Sequence, residues 1–65
     1  MDLAQAYYNL ARLGSLGGDV ERAFDHLRRA AQLPGFARAE AWKEPDFEPL
    51  RADPRFVEIV GPPPA

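Results

Sequence analysis

The side chains with most chemical potential in this sequence are one imidazole, a group of carboxylates and a scatter of guanidinium groups. His26, the one histidine, follows Asp25, an adjacency that suggests a base oriented by an acid. Neighbours along a helix point roughly 100° apart, however, and do not face each other. No serine, cysteine or lysine stands three or four residues from His26, and a nucleophile must lie within hydrogen-bond reach of its base. His26 therefore reads as a surface residue. Glu40, Glu44, Asp46 and Glu48 lack the regular ligand spacing of a calcium loop and read as a solvated acidic rim. Zinc wants several nitrogen or sulfur ligands. A single histidine and no cysteine argue against such a site, and the lack of cysteine also removes disulfides and thiol nucleophiles. With no glycine-rich phosphate loop and no nucleophile–base pair, the expectation is a non-enzyme without cofactor or metal.

Charge narrows the partners. Ten acidic residues oppose eight basic ones, for a net charge of −2. Nucleic-acid binders carry a basic excess that displaces counterions from phosphates. Here the one local basic patch is Arg22, Arg28 and Arg29, which reads first as a solvated helix face. No apolar run approaches the 18 or so residues of a membrane span, and Met1 to Gln5 has no basic region preceding an apolar core, as a secretory signal would. The expected partner is a protein or peptide, with no nucleic acid and no membrane, and the expected compartment is the cytoplasm.

Three segments must position these groups. In the first, Asp2 to about Leu16, Leu3, Tyr7, Leu10 and Gly14 recur at helical spacing, Asp2 is a suitable N-cap, and Gly17-Gly18 ends the run. In the second, Asp19 caps a helix that continues to Leu33, with Val20, Ala23, Phe24, Leu27, Ala30 and Ala31 on one stripe. Asp25 and Arg29 stand at a favourable i,i+4 spacing, and Pro34-Gly35 stops the helix. Two helices joined by so short a turn must lie antiparallel as a hairpin over residues 2–33. The third segment, residues 36–60, predicts two helical turns from Phe36 to Trp42, a short piece bracketed by Pro45 and Pro49, and a last helix from Pro54 to Val60 opened by Asp53-Pro54. Phe36, Trp42, Phe47, Leu50, Phe56, Ile59 and Val60 are spaced as anchors that wrap this segment over the hairpin. Pro62-Pro63-Pro64-Ala65 reads as an extended, disordered tail. One all-α domain over residues 1–61 results.

The hairpin resembles a tetratricopeptide repeat. Tyr7-Tyr8-Asn9-Leu10-Ala11, Gly18-Asp19-Val20-Glu21-Arg22-Ala23, Leu27-Arg28-Arg29-Ala30 and Pro34 carry the resemblance over Ala4 to Gly35. Gly14 departs from it, standing where the family prefers an aromatic, which loosens the end of the first helix. The run Pro45-Asp46-Phe47-Glu48-Pro49-Leu50-Arg51-Ala52-Asp53-Pro54-Arg55-Phe56 is similar to the tail that closes many bacterial arrays of such repeats. The resemblance implies a protein–protein interaction module, one repeat plus its capping helices, with an alternative reading as a structural capping or oligomerisation element. It also implies that Gln5, Tyr8, Asn9, Arg12 and Ser15 face a concave peptide-binding groove, Arg12 meeting a carboxylate.

Repeat proteins generally need about three units for stability. A single repeat leaves Leu3, Ala6, Tyr7, Leu10 and Leu13 without a preceding neighbour, so the chain is expected to be the end of a longer array or to pair with a second copy. About 300 Å² of apolar area per subunit would contribute on the order of 7 kcal/mol, which favours a homodimer.

Overall fold

Local caps set the helix boundaries. In the computed structural model, which describes residues 2–64, the Asp2 carboxylate accepts from the Gln5 amide at 3.3 Å and opens α1, Leu3–Leu16. Asp19 accepts from the Arg22 amide at 3.3 Å and opens α2, Val20–Ala31. Asp53 accepts from the Arg55 amide at 2.9 Å and opens the last helix, Pro54–Val60. Each carboxylate satisfies one of the amides that a first helical turn leaves unpaired. Between them lie α3 (Arg38–Lys43), a 3-10 turn (Pro45–Phe47) and α4 (Glu48–Arg51), so that Pro54–Val60 is α5. The described residues contain no strand, and the fold is all-α.

The expected helix start at Phe36 is displaced. Gly35 takes a positive φ of 90°, and α3 begins only at Arg38. Phe36 instead turns its ring towards Tyr8, 6.4 Å between centroids. Pro45 stands at the start of the 3-10 turn and Pro49 at the start of α4, where the missing N–H would have had no helical partner.

Residues near the turn meet each other, and so do residues far from it. Gly14 lies against Ala23, while Tyr7 stacks on His26 with centroids 6.1 Å apart and lies under the Arg29 guanidinium at 5.9 Å. Positions rising along α1 thus meet positions falling along α2, which is the antiparallel hairpin expected for residues 2–33. Gly14 does not loosen α1, which continues through it to Leu16. A Cβ at Gly14 would sit 3.1 Å from both Cα and N of Ala23, so this glycine joins Ala11 and Ala23 as the point of closest approach.

The capping segment completes the core. Phe24 and Leu27 of α2 are fully buried together with Phe47, Leu50, Phe56 and Val60 from the third segment. Phe47 meets Tyr8 at 5.2 Å and Phe56 at 6.0 Å, both edge-on, and Trp42 meets Phe56 edge-on at 4.8 Å. The Trp42 indole N–H also donates to the Gly61 carbonyl at 3.0 Å. Pro62 and Pro64, from the segment expected to be a free tail, border a shallow cleft with Arg38, Ala39 and Trp42; Ala65 lies outside the described residues. The accessible surface is 4180 Å², against about 4100 Å² for a folded monomer of this mass. The exposed area is thus ordinary for a chain of this size.

Candidate protein-interaction surfaces on the first helix

α1 divides its side chains between two faces. Ala4, Tyr8, Ala11 and Ser15, at helical spacing, are its buried residues. Round the helix, Leu3, Leu10, Leu13 and Leu16 are 58%, 42%, 64% and 63% exposed. Ala6 and Tyr7 are half-buried. Tyr7, expected on the self-association face, is largely taken up by the hairpin seam through His26 and Arg29, whereas Leu16, which sequence spacing left out, extends the open row.

The five residues expected to face a groove separate into two kinds. Gln5 and Asn9 are exposed, and the Gln5 side-chain amide donates to Asn9 Oδ1 at 3.0 Å. Tyr8 and Ser15 are buried, at 8% and 4% exposure, because residues 44–47 of the capping segment cover them. Ser15 Oγ donates to the Asp46 carbonyl at 2.5 Å. Arg12, expected to meet a carboxylate of a partner peptide, is half-buried and engages carboxylates of its own chain. Its Nε and Nη2 both lie 3.0 Å from Asp46 Oδ2, and Nε is 3.6 Å from Glu44 Oε1. Its Nη1 donates to Asn9 Oδ1 at 3.4 Å. Glu44 and Asp46 are accordingly not part of a solvated rim, although Glu40 and Glu48 are exposed.

Between α1 and α3 a cleft of about 300 Å³ remains open, bordered by Gln5, Tyr8, Arg12, Phe36, Glu40 and Glu44. Burial, reinforced by the Glu44 and Glu40 charges and opposed by Arg12 and Arg51, pushes the Tyr8 hydroxyl up to about 12. It therefore stays protonated at neutral pH. The hydrogen bond to Asp46, then the charge of Glu44, raises the Arg12 guanidinium further above its ordinary value. The Arg55 side chain, bonded to Asp53, holds that carboxyl below its usual range.

The other candidates are absorbed by packing and pairing. His26 is half-buried, contrary to its surface assignment, and its Nδ1 is buried without a hydrogen-bond partner. Asp25 pairs with Arg28 at 3.0 Å, one residue nearer in sequence than the expected Arg29. Arg22 lies 3.6 Å from Asp19, and Glu21 takes Arg55 at 2.8 Å. The basic patch is thus interleaved with acids, which weakens any field for phosphate. Among the described residues no helix is long and apolar enough to cross a membrane.

No protein-family model, curated protein or solved structure matches this chain.

Proposed function

We propose that this chain is a protein–protein interaction module of tetratricopeptide type, a single repeat closed by capping helices, acting in the bacterial cytoplasm without catalytic chemistry or cofactor. The observation that carries this reading is the row Leu3, Leu10, Leu13 and Leu16, four large apolar side chains left open on one helix. Contiguous apolar surface of this kind marks sites of association. A second copy is the partner to which the row is best suited, because a two-fold axis would set identical rows against each other. Both sides are apolar and uncharged, so no desolvation of charge opposes the contact. The Gln5, Asn9 and Arg12 edge of the same helix, beside the cleft, is the surface for a peptide of a different protein.

The test is light scattering on the eluting protein. Wild type is expected at twice 7.2 kDa at tens of micromolar. Leu10→Gln with Leu13→Gln is expected at the monomer mass with unchanged helical circular dichroism. Equal masses for the two proteins would remove the leucine row as an association surface.

The alternative, a structural capping or oligomerisation element with no other ligand, makes the same prediction for the leucines. It differs at the cleft, where it predicts no binding at all.

A further inference from the structure

We propose that the cleft between α1 and α3 receives an arginine side chain presented by a partner peptide. This inference rests on reading the chain as an interaction module and specifies what that module recognises. The volume, about 300 Å³, lies at the small end for ligand sites and suits one long side chain entering from the surface. Two rings wall it: Tyr8 and Phe36, 6.4 Å apart and tilted by 58°. A guanidinium stacks on aromatic faces more readily than an ammonium does.

The charges favour a cation. Among the residues that line the cleft, Arg12 stands against Glu40 and Glu44, a balance of one negative charge. Arg12 is already engaged by Asp46 at 3.0 Å and Glu44 at 3.6 Å. Arg51 donates to the backbone carbonyl of Glu44 and leaves its carboxylate free of that bond. Glu40, exposed on the rim, pairs with no cation among the described residues. An incoming carboxylate would find Arg12 occupied and meet like charge; an incoming guanidinium would find acceptors.

The Tyr8 hydroxyl adds an available acceptor to the cleft wall. The residue is only 8% exposed and borders the cleft, yet its hydroxyl makes no hydrogen bond among the described residues. The hydroxyl is not among the buried atoms left without a partner; it keeps access to solvent through the cleft, and the phenol oxygen can accept. A guanidinium brings five N–H donors in a planar fork, enough for this oxygen, the Glu40 and Glu44 carboxylates and the Gln5 side-chain carbonyl together.

The experiment is selection of a phage-displayed random peptide library on the immobilised full chain. The selected peptides are then titrated into wild type, Glu40→Gln, Tyr8→Phe and Glu48→Gln, each verified as folded by circular dichroism. The expected result is one enriched arginine position, whose replacement by citrulline weakens binding about tenfold or more. Glu40→Gln is expected to weaken it similarly, Tyr8→Phe to weaken it with no loss of thermal stability, and Glu48→Gln, which removes an exposed acid away from the cleft, to leave it unchanged. Peptides that bind without an enriched arginine, or equally to Glu40→Gln and Glu48→Gln, would overturn the arginine assignment and leave the module reading standing. Failure to select any binder, combined with a monomeric wild type, would remove both.

Discussion

Gly14→Ala turns the closeness of the hairpin into a change of sign. On a solvent-facing helix surface, replacing an interior glycine by alanine stabilises by up to about 1 kcal/mol, because glycine has the larger backbone entropy to lose. At Gly14 the new Cβ would lie 3.1 Å from Cα and N of Ala23 and 3.2 Å from its Cβ. Two of those atoms are backbone in the middle of a helix, so relief requires α2 to move bodily by a few tenths of an ångström. Overpacking of this kind costs about 1–3 kcal/mol. Set against the propensity gain, the net expectation is a loss of about 1 kcal/mol. A domain of this length has a total stability of about 3–10 kcal/mol, so the loss is readily measured. Urea denaturation followed by Trp42 fluorescence should show a lower midpoint at unchanged slope, with Tm reduced by about 4–8 °C. Gly14→Val should cost more. Protein concentration must be held constant throughout, since association shifts the midpoint. A stabilisation of about 1 kcal/mol in Gly14→Ala would mean that the helices do not touch there.

Three further outcomes follow from the capping segment. Ser15→Ala removes the donor to the Asp46 carbonyl in a buried setting and should cost about 1 kcal/mol by chemical denaturation; an unchanged midpoint would mean that the bond contributes nothing. The Tyr8 phenol holds its proton to about 12 when folded, whereas the unfolded chain releases it near the ordinary value of about 10. The unfolded state therefore binds fewer protons in that interval, and stability, intact below pH 10, declines as pH rises towards 12. Tyr8→Phe should flatten that limb of a pH–stability curve relative to wild type. The lowered carboxyl of Asp53 has the opposite sense: its pairing with Arg55 stabilises fully above about pH 4 and is lost as pH falls through the folded value. Trp42, packed on Phe56 of α5, should report that loss in an acid titration, and Asp53→Ala should abolish this part of the acid response.

What was legible in the sequence was local. Asp2, Asp19 and Asp53 announce their helices because a cap bonds an amide only two or three residues away, and Gly17-Gly18 and Pro34-Gly35 punctuate for equally local reasons. The hydrophobic anchors Phe47, Leu50, Phe56 and Val60 were legible as core, since nothing else in so short a chain could cover α2. Pairings across the sequence were not. Asp46 meets Arg12 and Ser15 over separations of 34 and 31 residues, and no periodicity encodes such a contact, so two acids that complete the fold read as a solvated rim. The same ignorance opened the groove too far: Tyr8 and Ser15 belong to the buried side of α1 because the capping segment returns over them. Gly14 was misjudged because a missing side chain resembles weakness until the facing residue, Ala23, is known. The cleft follows from these long-range contacts, and Phe36 became part of it only because Gly35 delays α3.

Self-association requires the leucine row to be open. Methyl NMR of leucine-labelled protein across a dilution series addresses it directly. Leu3, Leu10, Leu13 and Leu16 should shift with concentration, following a two-fold change in mass, while the buried methyls of Leu27 and Leu50 stay fixed. Leucine signals that remain constant at every concentration, from a particle of 7.2 kDa, would contradict it.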